Sequence, residues 1–183
     1  MVRAFSLMEL LVVVGIFVLI TGVVLANHNK YNTSVLLGNT AYSIALSIRQ
    51  AQVYGLSTQR YDTTFQVGYG LHFTGPASYE FYADLNRDKK WDANDQVIQT
   101  YTLGRGHTIL RFCGYDVQNN ASCSDADIID HLDVSFLRPE PDATISSGAA
   151  LPYSRGTIVV QSSGGETRTV TVASTGQISV SNP

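Results

Sequence analysis

Residues Phe5–Ala26 read FSLMELLVVVGIFVLITGVVLA, a run of 22 residues with one charge, Glu9. About 20 apolar residues in a helix cross the ~30 Å hydrocarbon core of a bilayer. The run is therefore a transmembrane helix or a secretion signal. A cleavable secretory signal has a charged start, a shorter apolar stretch and a small-residue cleavage site. This run is longer than such a signal needs, and Val24-Leu25-Ala26 is not a strict A-x-A. Glu9 also fits a signal poorly. A carboxylate in hydrocarbon costs about 2.5–3.5 kcal/mol on insertion scales, and a plain anchor has no reason to carry one. Two readings follow. Glu9 lies near the interface and snorkels to it, or it pairs with a positive charge from another chain.

The residues around it carry a resemblance. Arg3-Ala4-Phe5-Ser6-Leu7-Met8-Glu9-Leu10-Leu11-Val12 resembles the prepilin processing motif. That motif is a short basic leader and a small residue, then Phe-(Thr/Ser)-Leu-x-Glu-Leu-Leu-Val. Type IV pilins, the pseudopilins of type II secretion and competence pilins share it. The resemblance implies that prepilin peptidase removes residues 1–4 by cutting between Ala4 and Phe5, and that the new amine of Phe5 is methylated. It implies that residues 5–26 span the inner membrane in the precursor and later form the core of a helical filament. It gives Glu9 a partner, the N-terminal amine of a neighbouring subunit. It also implies other pilin subunits and an inner-membrane assembly platform as partners. The residue before the cut is usually Gly in the family and is Ala4 here. Major pilins often have a proline near the end of the apolar run. The first proline here is Pro76, which leans towards a minor pilin or pseudopilin.

Gly15 and Gly22 each lower helix propensity by about 1 kcal/mol relative to Ala, and read as close helix packing or as a place where the helix melts locally. Residues 27–34 are polar and mark the exit from the membrane. Val35, Leu37, Ala41, Ile44, Ala45, Ile48 and Ala51 then recur at helical spacing and predict an amphipathic continuation over residues 27–56. Gly55 is the expected stop. Residues 57–183 form a β-rich head. Strands are predicted at Val67–Phe73, Tyr79–Asp84, Val97–Leu103, Thr108–Cys113, Leu132–Leu137, Thr157–Gln161, Thr167–Val172 and Gln177–Val180, all rich in β-branched and aromatic residues. Ser162-Ser163-Gly164-Gly165 and Ser174-Thr175-Gly176 read as hairpin turns, and Arg138–Leu151 as a surface loop. The expected class is α+β: a long helix against two small antiparallel sheets. This order resembles the GspH/FimT-type branch of the pilin-like family and implies a pilin fold.

Asp84-Leu-Asn86-Arg-Asp88-Lys-Lys90-Trp-Asp92-Ala-Asn-Asp95 has oxygen side chains at loop positions 1, 3, 5, 9 and 12, and the Lys90 carbonyl at position 7. Calcium takes six to eight oxygens, and this spacing wraps them around one ion. The loop resembles EF-hand and dockerin calcium loops, with Asp84, Asn86, Asp88, Lys90, Asp92 and Asp95 as ligands. It departs from them at position 6, usually Gly and here Lys89, and at position 12, often Glu and here Asp95. The other reading is a solvated hairpin loop in which Asp and Asn serve turn chemistry and Arg87, Lys89 and Lys90 neutralise the acids.

Cys113 and Cys123 enclose Gly114–Ser122. In an exported head they predict a disulfide, with free thiols or half a metal site as alternatives. Zinc is disfavoured, because no His lies at metal-like spacing from either. His28, His72, His107 and His131 are scattered and read as surface or packing residues. Asp125, Asp127, Asp130 and Asp133 read as a solvated face, a partner contact or a second cation site. The net charge is −3, which argues against nucleic acid, and Arg155 and Arg168 are the only hint of a basic patch. No serine-hydrolase elbow, zincin, P-loop or dinucleotide motif occurs, so no enzyme is expected. The expected function is a structural filament subunit, either type IV pilin or pseudopilin. The alternatives are a DNA-uptake pilin and a membrane-tethered module that binds calcium or carbohydrate.

Overall fold

The computed structural model describes residues 6–57, 61, 67–148 and 152–182, with the side chains of 26–32 excepted. Ala4, Phe5 and the His28 side chain lie outside these. One helix, α1, runs over Leu7–Leu56. Ser6 caps it: its Oγ accepts the Met8 N–H at 3.3 Å, and its carbonyl accepts from Glu9 and Leu10. A hydroxyl at this position satisfies one of the N–H groups that a helix start leaves unpaired. The chain divides into two compact units, one ending at Leu36 and one beginning at Leu37.

In the first unit, Leu7–Leu25 is apolar on every side and long enough to span a membrane, and its side chains are exposed throughout. Thr21 keeps its hydroxyl satisfied by donating to the Phe17 carbonyl one turn back.

In the second unit, α1 buries one stripe. Leu37, Ala41, Ile44, Ile48, Ala51 and Gly55 are buried at spacings of four, three, four, three and four. Val35, expected on this stripe, is 42% exposed. Two residues from Leu37, it is turned about 200° around the helix and faces away. The helix ends at Leu56, one residue past Gly55, as expected. A Cβ at Gly55 would lie 2.4 Å from the Phe136 carbonyl oxygen, so glycine is needed for helix and sheet to touch. The Gly55 carbonyl then accepts the Arg138 N–H at 3.2 Å.

Among the described residues, ten strands form two antiparallel five-stranded sheets. The first holds β1 (Gly68–Phe73), β2 (Ser78–Asp84), β3 (Gln96–Thr102), β6 (Leu132–Phe136) and β7 (Ala143–Ser146), in the order β3-β2-β1-β6-β7. The second holds β4 (Thr108–Tyr115), β5 (Ala121–Cys123), β8 (Arg155–Gln161), β9 (Thr167–Ala173) and β10 (Ile178–Ser181), in the order β10-β9-β8-β4-β5. Tyr69, Leu71, Phe73, Phe81, Val134 and Phe136 of the first sheet join Ile158, Val160, Val170 and Val172 of the second in one core with the helix stripe. The fold is α+β, as expected, and both hairpin turns form, with Gly165 and Gly176 at φ +85° and +80°.

Two strands escaped the sequence reading. β7 lies inside the predicted loop Arg138–Leu151. It has four residues and alternates weakly, so only its pairing with β6 makes it a strand. β5 lies inside the expected cystine loop. Cys113 and Cys123 stand directly opposite each other on β4 and β5 and form the disulfide, with Cα atoms 4.1 Å apart.

Gly55→Val should destabilise the head by about 1–3 kcal/mol, because the backbone of β6 must retreat. Thermal melts of the detergent-solubilised full chain check this; an unchanged melting temperature would refute the close contact.

Candidate functional site

Alternation along β1 sends Tyr69, Leu71 and Phe73 into the core and Gly68, Gly70 and His72 to the other face of the first sheet. Tyr82 and Asp84 of β2 share that outer face through the pairs Gly70↔Tyr82 and Gly68↔Asp84. Asp133 and Ser135 of β6 join it through His72↔Asp133 and Gly70↔Ser135. The outer face should be wet, yet His72, Tyr82, Asp84, Asp133 and Ser135 are all buried. Gly70 leaves room for the Tyr82 ring, whose nearest carbons lie 2.6–2.7 Å from where a Cβ would be.

The acidic loop after Asp84 provides the cover. Trp91 stacks on His72, with ring centroids 4.2 Å apart and planes 12° from parallel. The Trp91 backbone N–H donates to Asp133 Oδ2 at 3.3 Å, and the Ser135 hydroxyl donates to the Lys89 carbonyl at 2.7 Å. Asp133 also binds His72 Nδ1 through Oδ1 at 2.5 Å. The Asp133 carboxylate is therefore a hub that ties β6, β1 and the loop together. It is fully buried, which corrects its reading as part of a solvated face. His131 lies beside it, with Nε2 3.8 Å from Asp133 Oδ2. The ring nitrogens of His131 instead engage Asp130 and the Gly148 N–H, which donates to Nε2 at 2.8 Å. Of the six buried side-chain polar atoms without a partner among the described residues, Tyr82 Oη, Trp91 Nε1 and Ser146 Oγ belong to this sheet and its cover; Arg155 Nε, Ser162 Oγ and Glu166 Oε2 lie in the second sheet and its turn.

Within the loop, each acid is occupied. Asp84 accepts the Arg87 and Lys89 N–H groups at 2.6 and 2.9 Å. Asp95 accepts those of Leu85 and Asp92, both at 3.0 Å. Asp88 accepts from Lys90, and Asp92 from Asn94. The Asn86 amide donates to both Asp88 and Asp92, at 3.2 and 3.1 Å. Arg87 and Lys89 adopt left-handed conformations, φ +64° and +66°. Lys89 therefore stands where a calcium loop has glycine and keeps the turn at a cost of roughly 1–2 kcal/mol. Asp84 and Asp95 bind backbone, while Asp88 and Asp92 meet over an amide. Among the described residues no three His, Cys, Asp or Glu side chains are arranged to hold a metal ion. As arranged, the loop spends these oxygens on N–H groups of its own backbone and on the Asn86 amide.

Burial raises the Asp95 carboxyl to about 6, with the Asp84 and Asp92 carboxylates adding to the rise against its N–H donors. Burial also raises Asp84. It pushes Tyr82 well above its ordinary value, helped by Asp133, Asp84 and Asp95.

The remaining expected residues do not gather here. Glu9 is exposed in the first turn of α1. Asp125 pairs with Arg111 on the surface. His107 is buried and meets the Thr40 hydroxyl at 2.7 Å, with burial and Arg105 lowering its pKa. Arg155 and Arg168 do not make a patch. Arg155 stands opposite Ala173 and Arg168 opposite Val160, five residues or roughly 17 Å apart along the β8–β9 ladder.

Comparison with protein-family models, with curated proteins and with solved structures gave no match. Architecture alone defines the class: an α+β chain with an N-terminal helix long and apolar enough to span a bilayer. In particular, this chain adds a disulfide-closed hairpin and an acidic strap sealed over one sheet.

A raised carboxyl favours its protonated form in the fold. The stability that Asp95 contributes is therefore complete below about pH 4 and is lost as pH rises through about 6. NMR titration of the Asp95 carboxyl in chelator-treated buffer should give a midpoint near 6, and Asp95→Asn should flatten the stability profile between pH 4 and 6. Repeating the titration with millimolar calcium should leave the midpoint in place; a large drop would show that calcium reorganises the loop.

Proposed function

We propose that the protein is a pilin-like filament subunit, held in the inner membrane as a single-pass precursor and then built into a type IV pilus or a type II secretion pseudopilus. One observation carries this reading. A single helix, α1, is apolar on every side over Leu7–Leu25, holds an acid at Glu9, and continues as the helix whose stripe forms the core of a β-rich head. A mere tether needs the apolar length but neither the acid nor an unbroken helix into the core. The long helix on antiparallel sheets supports a pilin fold of the GspH/FimT type.

In this function prepilin peptidase removes residues 1–4 between Ala4 and Phe5. The assembly platform then draws subunits from the bilayer, and their apolar helices pack on one another in the filament. Glu9 meets the methylated Phe5 amine of a neighbour. The strap seals one face of the head's first sheet. The separation of Arg155 and Arg168 gives no footing to DNA binding.

N-terminal sequencing with mass spectrometry of the membrane-extracted protein should give a chain beginning at methylated Phe5. An intact Met1 start would make the protein a tethered module instead. Glu9→Ala should leave the protein folded and in the membrane but reduce its incorporation into filaments, read by immunoblot of the sheared fraction.

A further inference from the structure

The half of α1 that packs on the sheets carries a second stripe. Tyr42, Leu46, Arg49 and Val53 recur at spacings of four, three and four. At 100° per residue they lie within about 40° of one line, on the side opposite the buried stripe. The three apolar members are 59%, 68% and 54% exposed. Single exposed apolar residues need no explanation, but a heptad-spaced row is what a helix presents to another helix. The row borders a groove of about 190 Å³, lined by Tyr42, Ala45, Leu46 and Arg49 on one side and by Ile178 and Val180 of the edge strand β10 on the other.

The charge in this row is the informative part. α1 has only three charged residues over its length: Glu9, Lys30 and Arg49. Glu9 is its one acid. Arg49 donates one N–H to Gln52 and has no acidic partner among the described residues. A guanidinium has five N–H donors in a fork that matches a carboxylate, so most of its capacity is unspent. The chain thus carries an apolar helical segment with one acid and no cover, and an apolar helical groove with one base and no acid.

We propose that the groove beside Arg49 receives the first turns of α1 from a second copy of this chain, with the Glu9 carboxylate against the Arg49 guanidinium and the leucines and valines around Glu9 on Tyr42, Leu46 and Val53. The docking rests on the filament reading and names a second contact within it. Glu9 and Arg49 are forty positions apart, so the docking sets the two copies forty residues out of register. A carboxylate has about four acceptor sites, so Arg49 does not displace the Phe5 amine. The Arg49 stem lies along apolar surface while its head meets the acid, which suits a long side chain at the rim of such a groove.

Cysteine cross-linking in filaments assembled from the full chain tests this. Val13 and Val53 lie four residues beyond Glu9 and Arg49, so the register sets them side by side. The native cysteines are consumed in their own disulfide. The V13C/V53C double variant should give a covalent ladder of subunits on oxidation, and neither single variant should. Dimers from V53C alone would mean that the row meets its own copy, and would overturn the docking. Normal filaments without a ladder would overturn it and leave the pilin reading intact. An uncleaved Met1 start with no filament would overturn both. As a second measurement, Arg49→Glu should lower incorporation roughly tenfold or more, since it sets two acids together in a dry contact. Arg49→Lys should retain most of it. Full incorporation of Arg49→Glu would also overturn the pairing.

Discussion

One helix carries two kinds of side-chain surface. Along α1 every interior peptide group is bonded within the helix, so the same element is tolerated in hydrocarbon and against protein. Only the side chains change, from apolar on all sides over Leu7–Leu25 to apolar on one buried stripe from Leu37 to Gly55. The sheets answer that stripe. Their inner residues close over it, and Gly55 lets β6 approach to backbone contact. Serines on this half hide their hydroxyls in the helix itself: Ser43 and Ser47 donate to carbonyls one turn back, and Ser47 also meets the Tyr79 hydroxyl at 3.0 Å. Where the helix meets the core, it therefore leaves few polar groups to be solvated.

The first sheet would be half wet without its strap. Burying a charge such as Asp133 is tolerable only when it is paired and hydrogen-bonded, and both of its oxygens are engaged, one by His72 and one by the Trp91 backbone N–H. The same closure brings Asp84 and Asp95 out of water, which raises both. The strap is thus held at its tip by one buried acid and loaded at its ends by two others. This explains why its remaining oxygens are turned to backbone N–H groups. Each such bond offsets part of the desolvation of a carboxylate.

The features that were legible in the sequence are those written in local spacing. The apolar run shows by its length, the stripe of α1 and eight strands by their period, and both hairpin turns by their glycines, and none needs a distant partner to be recognised. The His72–Asp133 pair spans 61 positions and has no local signature. Alternation in GYGLHF and LDVSF puts both residues on the outer face, but nothing local says that a loop will bury that face. β7 was missed because its pairing with β6, not its composition, makes it a strand. Gly55 marks the helix end in the sequence, but its second role at the helix–sheet contact shows only with the Phe136 carbonyl in place. The acidic loop shows the limit of spacing most clearly. Six oxygen-bearing positions are spaced for a cation along the chain, but spacing does not show that Asp84, Asp88, Asp92 and Asp95 also accept N–H groups of the loop.

On the filament reading, the scarcity of charge in α1 becomes a matter of register. Apolar helix packing is strong but unselective, because a leucine-rich surface slides along another with little change in contact. A charge in that surface is selective, because leaving it unpaired in a dry interface costs several kcal/mol. Glu9 and Arg49 are each modest burdens in the isolated chain, one near a membrane surface and one in water. Set in an apolar seam, they admit few alignments of neighbouring helices. A helix with many charges would have many near-equivalent registers, and one with none would have a continuum. Few charges, widely spaced, single out one.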